Sequence, residues 1–380
     1  MTCFEMGPIR PPSESESLLL RLTRNCHWNK CAFCPVYKGT RFSLRTVDEV
    51  KRDIDGMAQA AGALYAELDR RYPDRVDDTA VVRLVKDADF GGAIDHGCVR
   101  QVAFWIYHGM KSLFLQDADA LAHRTANLVE ILTFVREKFP TIERITTYSR
   151  ADTVSRKSLE DLITLKQAGL NRIHIGMESG SDRVLAMINK GVTREQALLS
   201  GRNAIEAGFE LSEYYMPGLG GRELSEEHAR ESAAVLNAIN PTFIRLRSTV
   251  PVPGTPLHEM MDEKRWTPLT EEEKVREMRL FIESLEGITS TVQSDHVMNL
   301  LEDVEGSLPE EKVAMLDRID RFLSMDPDDR ESFIVGRRTG RYRRLADYVP
   351  DQGVEMLREE LKRRYGSVDN GILLILANYI

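Results

Sequence analysis

Between about residues 18 and 250 the chain alternates short apolar runs with amphipathic stretches of helical period, and this alternation limits the fold more than any other feature. Segments 18–22, 112–115, 142–148, 172–177, 209–216 and 243–249 read as strands. Helices are expected between them. The first is long and is opened by the capping pattern Thr46-Val47-Asp48-Glu49; the others cover 125–139, 158–168, 182–188 with 194–207, and 225–239. Strands separated by helices imply βαβ units and a parallel sheet. Six such units predict an α/β fold, an open TIM-like (β/α)6 partial barrel that works at the C-terminal ends of its strands. Residues 73–110 fit no simple βα unit and read as an insertion. Residues 1–17 form an N-terminal segment, 18–255 the core barrel, and 256–380 a mainly helical C-terminal region with charged helices over 271–285 and 309–323.

Directly after the first strand comes Cys26-His27-Trp28-Asn29-Lys30-Cys31-Ala32-Phe33-Cys34, three of the five cysteines within one short loop. Three such thiolates suit three corners of a [4Fe–4S] cube. No fourth cysteine follows nearby, which leaves one iron open. On the triplet alone, a zinc site completed by His27 or Cys98 and unligated thiols are the competing readings.

The bulk composition adds exclusions. A net charge of −9 supplies no global attraction for nucleic acid, so a small molecule is the more natural partner. The first twenty residues are polar and unlike a signal peptide, and the longest apolar run, 372–377, is too short for a bilayer. Cys3 and Cys98 do not make a disulfide framework, which fits a reducing, cytoplasmic setting.

With five further βα units behind it, the cysteine loop resembles that of the radical SAM superfamily, over about residues 18–255. In that family three cysteines hold a [4Fe–4S] cluster and S-adenosylmethionine (SAM) chelates the open iron. The usual spacing has three residues between the first two cysteines, and this chain has four. By resemblance Cys26, Cys31 and Cys34 are the cluster ligands, and Phe33 is the aromatic that packs near adenine.

Further SAM contacts follow from the same resemblance. Asp117 and Asp119 in Gln116-Asp117-Ala118-Asp119 stand where the methionine ammonium is received, without the family's glycines; a helix-capping loop is the plainer reading. Gly176-Met177-Glu178-Ser179-Gly180-Ser181 resembles a segment of radical SAM methylthiotransferases and oxygen-independent coproporphyrinogen oxidases, placing Glu178 and Ser179 by the ligand; serines there also cap helices. Ser149 ends the third strand, where the family often places a polar contact to SAM and an ordinary polar strand end competes; Gly218 and Gly220 match a glycine-rich turn beside adenine, where a plain turn competes. Segment 250–256 is a candidate lining of the same pocket. Asp295 and His296 are the candidate catalytic pair for proton transfer, against a structural histidine. Segment 7–12 is a candidate substrate contact. Arg245 and Arg247 share one strand face and, if it points inward, suit a carboxylate or phosphate.

The implied activity is that of an oxygen-sensitive enzyme. A flavodoxin- or ferredoxin-type donor reduces the cluster, SAM is cleaved to methionine and a 5′-deoxyadenosyl radical, and hydrogen is abstracted from a small-molecule substrate. The chain shows no cysteine-rich tail and no stretch sized for a cobalamin domain, which directs the expectation to oxidation, rearrangement or modification of a small metabolite. The alternatives are a non-catalytic iron–sulfur carrier or redox sensor, which needs no SAM segments, and a zinc-stabilised binding protein.

Overall fold

The computed structural model describes residues 4–87 and 96–377. Its strands are β1 (Leu18–Arg21), β2 (Thr23–Arg24), β3 (Ser43–Leu44), β4 (Ser112–Gln116), β5 (Arg144–Ser149), β6 (Arg172–Glu178), β7 (Glu210–Tyr215), β8 (Phe243–Leu246), β9 (Thr291–Gln293) and β10 (Gly306–Ser307). The main sheet has the order β1-β4-β5-β6-β7-β8-β9-β10, with β2 and β3 forming a separate two-stranded ribbon. The helices up to the core's end are α1 (Val47–Arg71), α2 (Ala80–Asp87), α3 (His96–Tyr107), α4 (Thr125–Lys138), α5 (Ala151–Arg156), α6 (Leu159–Gln167), α7 (Asp182–Met187), α8 (Arg194–Glu206) and α9 (Gly221–Ile239). Beyond them lie α10 (Pro256–Asp262), α11 (Glu271–Glu283), α12 (Lys312–Leu323), α13 (Pro327–Arg338), α14 (Gln352–Tyr365) and α15 (Val368–Leu376). Among the described residues no helix is long and apolar enough to cross a membrane.

The chain divides into two compact units. The first holds residues up to His27, Gly39–His174 and Asn203–Glu210; the second holds Trp28–Lys38, Ile175–Arg202 and Leu211–Ile380. Strand β6 passes from one to the other between His174 and Ile175.

In the first unit β1, β4 and β5 pair in parallel, with Leu18 opposite Leu113 and Leu113 opposite Ile145. Leu18, Leu113 and Ile145 on one face and Phe114 and Thr146 on the other are all inaccessible to water, as expected for strands covered on both faces. Helix α1 begins at the anticipated capping box, where Thr46 and Glu49 satisfy each other's backbone N–H groups. Val50, Ile54, Met57, Ala61, Leu64 and Leu68 then bury one stripe of it. The expected insertion contains α2 and α3, its residues 88–95 lying outside the described residues. Helix α3 sits against the sheet through Trp105, whose Nε1 donates to Ser112 O at 2.8 Å. Cys98 on α3 is disulfide-bonded, which corrects the expectation of no disulfide there and removes Cys98 as a zinc ligand.

At the N-terminal edge of these strands lies a buried charge. Glu14, fully inaccessible, accepts from Ser17 Oγ at 2.6 Å and from Arg144 Nη2 at 3.2 Å, with Arg172 Nη1 at 3.7 Å. Burial opposes its ionisation, yet His174, Ser17 and Arg144 hold its pKa down at about 2.

In the second unit β7, β8 and β9 are parallel, and β10 returns antiparallel to β9. The sixth expected strand stops early, at Leu246. There the Asn299 side chain takes over the pairing, donating to Leu246 O at 2.8 Å and accepting from Ser248 N at 2.9 Å. The three-residue β9 extends the sheet past the six strands expected, too short to leave a periodic signal. Helix α11 opens on a second capping box at Thr270 and presses Phe281 flat on Tyr215, with ring centroids 3.9 Å apart. Its buried Glu271 pairs with Lys274 at 3.0 Å and with Arg338 of α13. Two arginines of the C-terminal region are therefore structural, Arg338 on Glu271 and Arg337 on Glu302 at 2.6 Å.

Candidate functional site

The cysteine loop leaves β1 through Asn25, whose positive φ of 66° turns the chain, and it is closed at its base where Thr23 pairs with Leu44. Cys26 and His27 belong to the first unit, Cys31 and Cys34 to the second. None of the three cysteines is in a disulfide. Among the described residues no three His, Cys, Asp or Glu side chains are gathered closely enough to hold a metal ion, so the fit of a cluster rests on donor chemistry. That chemistry agrees: three reduced thiols on one loop, with no fourth beside them.

Around Cys26 the first unit commits its carboxylates inward. Asp117 is fully buried and holds Arg21 through Nη2 at 2.5 Å and Nε at 2.8 Å, while also accepting from Asn25 N at 3.3 Å. A Cβ on Gly7 would stand 2.3 Å from Asp117 Oδ1, and Gly7 N donates to Gln116 at 2.8 Å. Segment 7–12, expected to touch substrate, is thus pinned against the end of β4. Asp119 is also fully buried, accepting from Ser149 Oγ at 2.6 Å and from Thr153 Oγ1 at 2.5 Å. Burial pushes its carboxyl up, against those two hydroxyls.

The sequence offers His27 only as an alternative zinc ligand. Its Nδ1 lies 3.4 Å from Asp119 and its Nε2 3.8 Å from Asp152, with Phe42 edge-on to the ring. Ser149 and Asp119 therefore steady the residue next to Cys26, a connection no local pattern announces.

The second unit fixes the rest of the loop onto the segment after β6. Ala32 N donates to Ile188 O at 2.7 Å, Leu257 N donates to Ala32 O at 3.0 Å, and Trp28 Nε1 donates to Asn189 O at 2.7 Å. Lys38 Nζ donates to Cys31 O at 3.0 Å. Gly191 has a φ of +67°, and a Cβ there would lie 2.2 Å from the Trp28 ring. Phe33 packs against the cluster of Val184, Ile188, Met216, Leu219, Leu257 and Trp266.

The Gly176–Ser181 segment sorts its residues by role. Glu178 sits at a positive φ of 63°, and its carboxylate meets Lys190 Nζ at 2.8 Å. A Cβ on Gly176 would stand 2.2 Å from Glu178 Oε1, so a larger residue there would displace that carboxylate. The Lys190 ammonium lies 5.9 Å from the centre of the Phe33 ring. Ser179 turns away, its Oγ 2.8 Å from His228 Nδ1 on α9. Ser181 caps α7 at Val184 N. In the sequence Lys190 continues the family-like pattern at Asn189-Lys190-Gly191 without an assigned role, and the buried Glu213 carries no signal. Burial and the charge of Glu178 push the Glu213 carboxyl well up.

After β7, Gly218 has a φ of +85°, whereas Gly220 caps α9 in an ordinary right-handed conformation. Gly221, not singled out from sequence, is the second constrained position, with a φ of +63° against Trp266. The expected His296–Asp295 pair does not form: Asp295 ion-pairs with Arg245 at 2.9 Å, and His296 Nδ1 accepts from Met298 N at 3.2 Å. Burial and the Arg247 cation lower the His296 pKa to about 4, so the imidazole is neutral at pH 7. The register sets Tyr214 opposite Arg245 and Tyr215 opposite Leu246. Tyr215 packs on α9 and α11, so Arg245 and Arg247 occupy the face turned away from those helices.

Residues 98–233 match the sequence profile of the Radical SAM superfamily. Over that stretch, about a third of the chain, the sequence is similar to this superfamily. A [4Fe–4S] cluster and SAM are what that family implies, and the mostly parallel sheet with C-terminal helices agrees with its partial barrel. The matched stretch runs from α3 into α9 and does not include the cysteine loop. Elongator complex protein 3 of Mus musculus is 28% identical over 150 residues, 39% of this chain and 27% of that protein. The Homo sapiens protein is 27% identical over the same length, so the match spans about a quarter of either relative. Among solved structures, the Escherichia coli coproporphyrinogen III oxidase HemN, a radical SAM enzyme, aligns with a TM-score of 0.43 at 14% identity, over 71% of this chain and 52% of that one. Methylornithine synthase aligns with a TM-score of 0.44 at 14% identity, over 80% and 68%.

Proposed function

We propose that Cys26, Cys31 and Cys34 hold the [4Fe–4S] cluster, that SAM completes its open iron, and that this enzyme abstracts hydrogen from a small-molecule substrate. When bound, the reduced cluster and SAM supply the one-electron chemistry, with methionine and 5′-deoxyadenosine as products. The observation that carries this reading is the junction in the second unit: the loop of Cys31 and Cys34 is hydrogen-bonded to Ile188 and Asn189, directly ahead of Lys190. Lys190 links Phe33 to Glu178 next to that loop, and an aromatic face, a cation and an anion so grouped would suit one ligand. A zwitterionic amino-acid end joined to a flat heterocycle is the chemistry those groups would receive.

In this reading Lys190 binds the carboxylate of SAM, and Glu178 takes its ammonium or a ribose hydroxyl. Asp117 and Asp119 are already committed to Arg21, Ser149 and Thr153, so they support the loop from behind. Arg247, on the sheet face away from α9 and α11, with neutral His296 near it, suits a substrate bearing a carboxylate. A flavodoxin- or ferredoxin-type protein is the proposed electron donor.

The test is equilibrium binding of SAM to the anaerobically reconstituted protein. Saturable binding that requires the cluster supports the enzyme. A brown protein that binds no SAM fits a carrier or sensor instead. Lys190→Ala is expected to raise the SAM Kd about 10- to 100-fold, the worth of a charge-assisted hydrogen bond. Unchanged affinity would remove Lys190 from the site.

A further inference from the structure

Glu277 lies on α11, beyond the stretch that matches the family profile, and it is 3% exposed. A buried carboxylate needs partners, and each of those of Glu277 leads toward the ligand-facing end of the sheet. Its Oε1 accepts from Gly218 N at 2.7 Å and from Tyr215 OH at 3.0 Å, and its Oε2 accepts from Ser225 Oγ at 2.6 Å. Gly218 is the left-handed residue of the turn after β7, Tyr215 ends that strand, and Ser225 lies in the first turns of α9. One side chain from the C-terminal region thus fixes strand end, turn and following helix together.

The same brace reaches the Glu178 segment. His228 Nε2 is 2.9 Å from Met216 O, which only accepts, so that nitrogen carries the hydrogen. Burial holds His228 neutral, leaving Nδ1 to accept from Ser179 Oγ at 2.8 Å. Tyr215 is stacked between His228 and Phe281, at 4.7 and 3.9 Å. Burial and the Glu277 charge keep the Tyr215 phenol protonated as a donor. Displacing Glu277 would free the Gly218 N–H and the Tyr215 hydroxyl, and through the stacked rings loosen the anchor of Ser179, next to Glu178.

We propose that Glu277 is a positioning residue for SAM binding, holding from the C-terminal helices the turn at Gly218 and, through Tyr215 and His228, the Glu178 segment. This rests on the SAM site proposed above. The brace makes α11 part of the binding apparatus although it supplies no group to the ligand.

The experiment measures SAM affinity and the KM and kcat for 5′-deoxyadenosine formation in reconstituted wild-type, Glu277→Ala, Glu277→Gln and Tyr215→Phe proteins. Iron content is read for each. Glu277→Ala should keep its iron while the Kd and KM for SAM rise at least about tenfold, with kcat changed less than about threefold. Glu277→Gln can still accept two donors on its amide oxygen, and Ser225 can turn to accept from its NH2 group. Affinity should therefore recover to within a few-fold of wild type. Tyr215→Phe removes one donor and should give an intermediate loss, which decides the matter if Glu277→Ala does not fold. Wild-type affinity in iron-loaded Glu277→Ala or Tyr215→Phe overturns the brace alone. Wild-type protein that holds its cluster and binds no SAM overturns the brace together with the SAM site.

Discussion

Replacing Cys31 by Ala should lower the iron of reconstituted protein from about four to below about one per chain, and cut SAM-dependent 5′-deoxyadenosine to below about a hundredth of wild type. The size of the effect follows from what the substitution leaves standing. The loop is held by backbone groups: Ala32 to Ile188 and Leu257, and Lys38 to the Cys31 carbonyl. None of these uses the thiol. The variant keeps its local fold and loses a ligand, so its unfolding free energy without iron should stay within about 1 kcal/mol of wild type, as for a conservative change on the rim of a core. Iron analysis, urea unfolding and product chromatography on one preparation check the three quantities together. A Cys31→Ala protein with full iron and undiminished product would remove this residue from the cluster.

The second large effect lies at the opposite edge of the strands. Glu14→Ala should destabilise the protein by about 3 kcal/mol or more, because Arg144, Arg172 and His174 would be left around a lost buried carboxylate. The folded pKa of about 2 lies below the ordinary value of 4.5. Its contribution is therefore complete above about pH 4.5 and fades as the pH falls toward 2, on the order of 3 kcal/mol in all. Glu14→Gln should accordingly be less stable than wild type at pH 7, with the gap narrowing on acidification. Urea midpoints for both proteins between pH 7 and pH 3 measure it. A gap that does not narrow would mean that the carboxylate is not held ionised by its neighbours.

What was readable in advance divides along physical lines. The βαβ succession was legible because buried parallel strands are continuous apolar runs and their helices begin at caps such as Thr46 and Ser158. The cysteines and the Gly176–Ser181 segment were legible because their chemistry sits in short contiguous patterns. Residues made important by distant partners were not legible. Glu14 was one of several glutamates in a polar leader until the fold set it beside Arg144, 130 residues on. Lys190 stood only in a family-like tail of the fourth unit until its ammonium met Glu178. Glu277 reads as one of many charges on an amphipathic helix, and only packing makes it accept from Gly218, 59 residues earlier. Asp295 was misjudged for the same reason: adjacency to His296 suggested a pair, whereas the fold offers it Arg245.

The most direct test of the central claim is anaerobic incubation of reconstituted wild-type protein with dithionite and SAM, followed by chromatography. The account predicts 5′-deoxyadenosine and methionine in equal amounts, formed only when cluster, reductant and SAM are all present. A protein with a full complement of cluster iron that leaves SAM intact, with dithionite and with a flavodoxin-type donor alike, would contradict it.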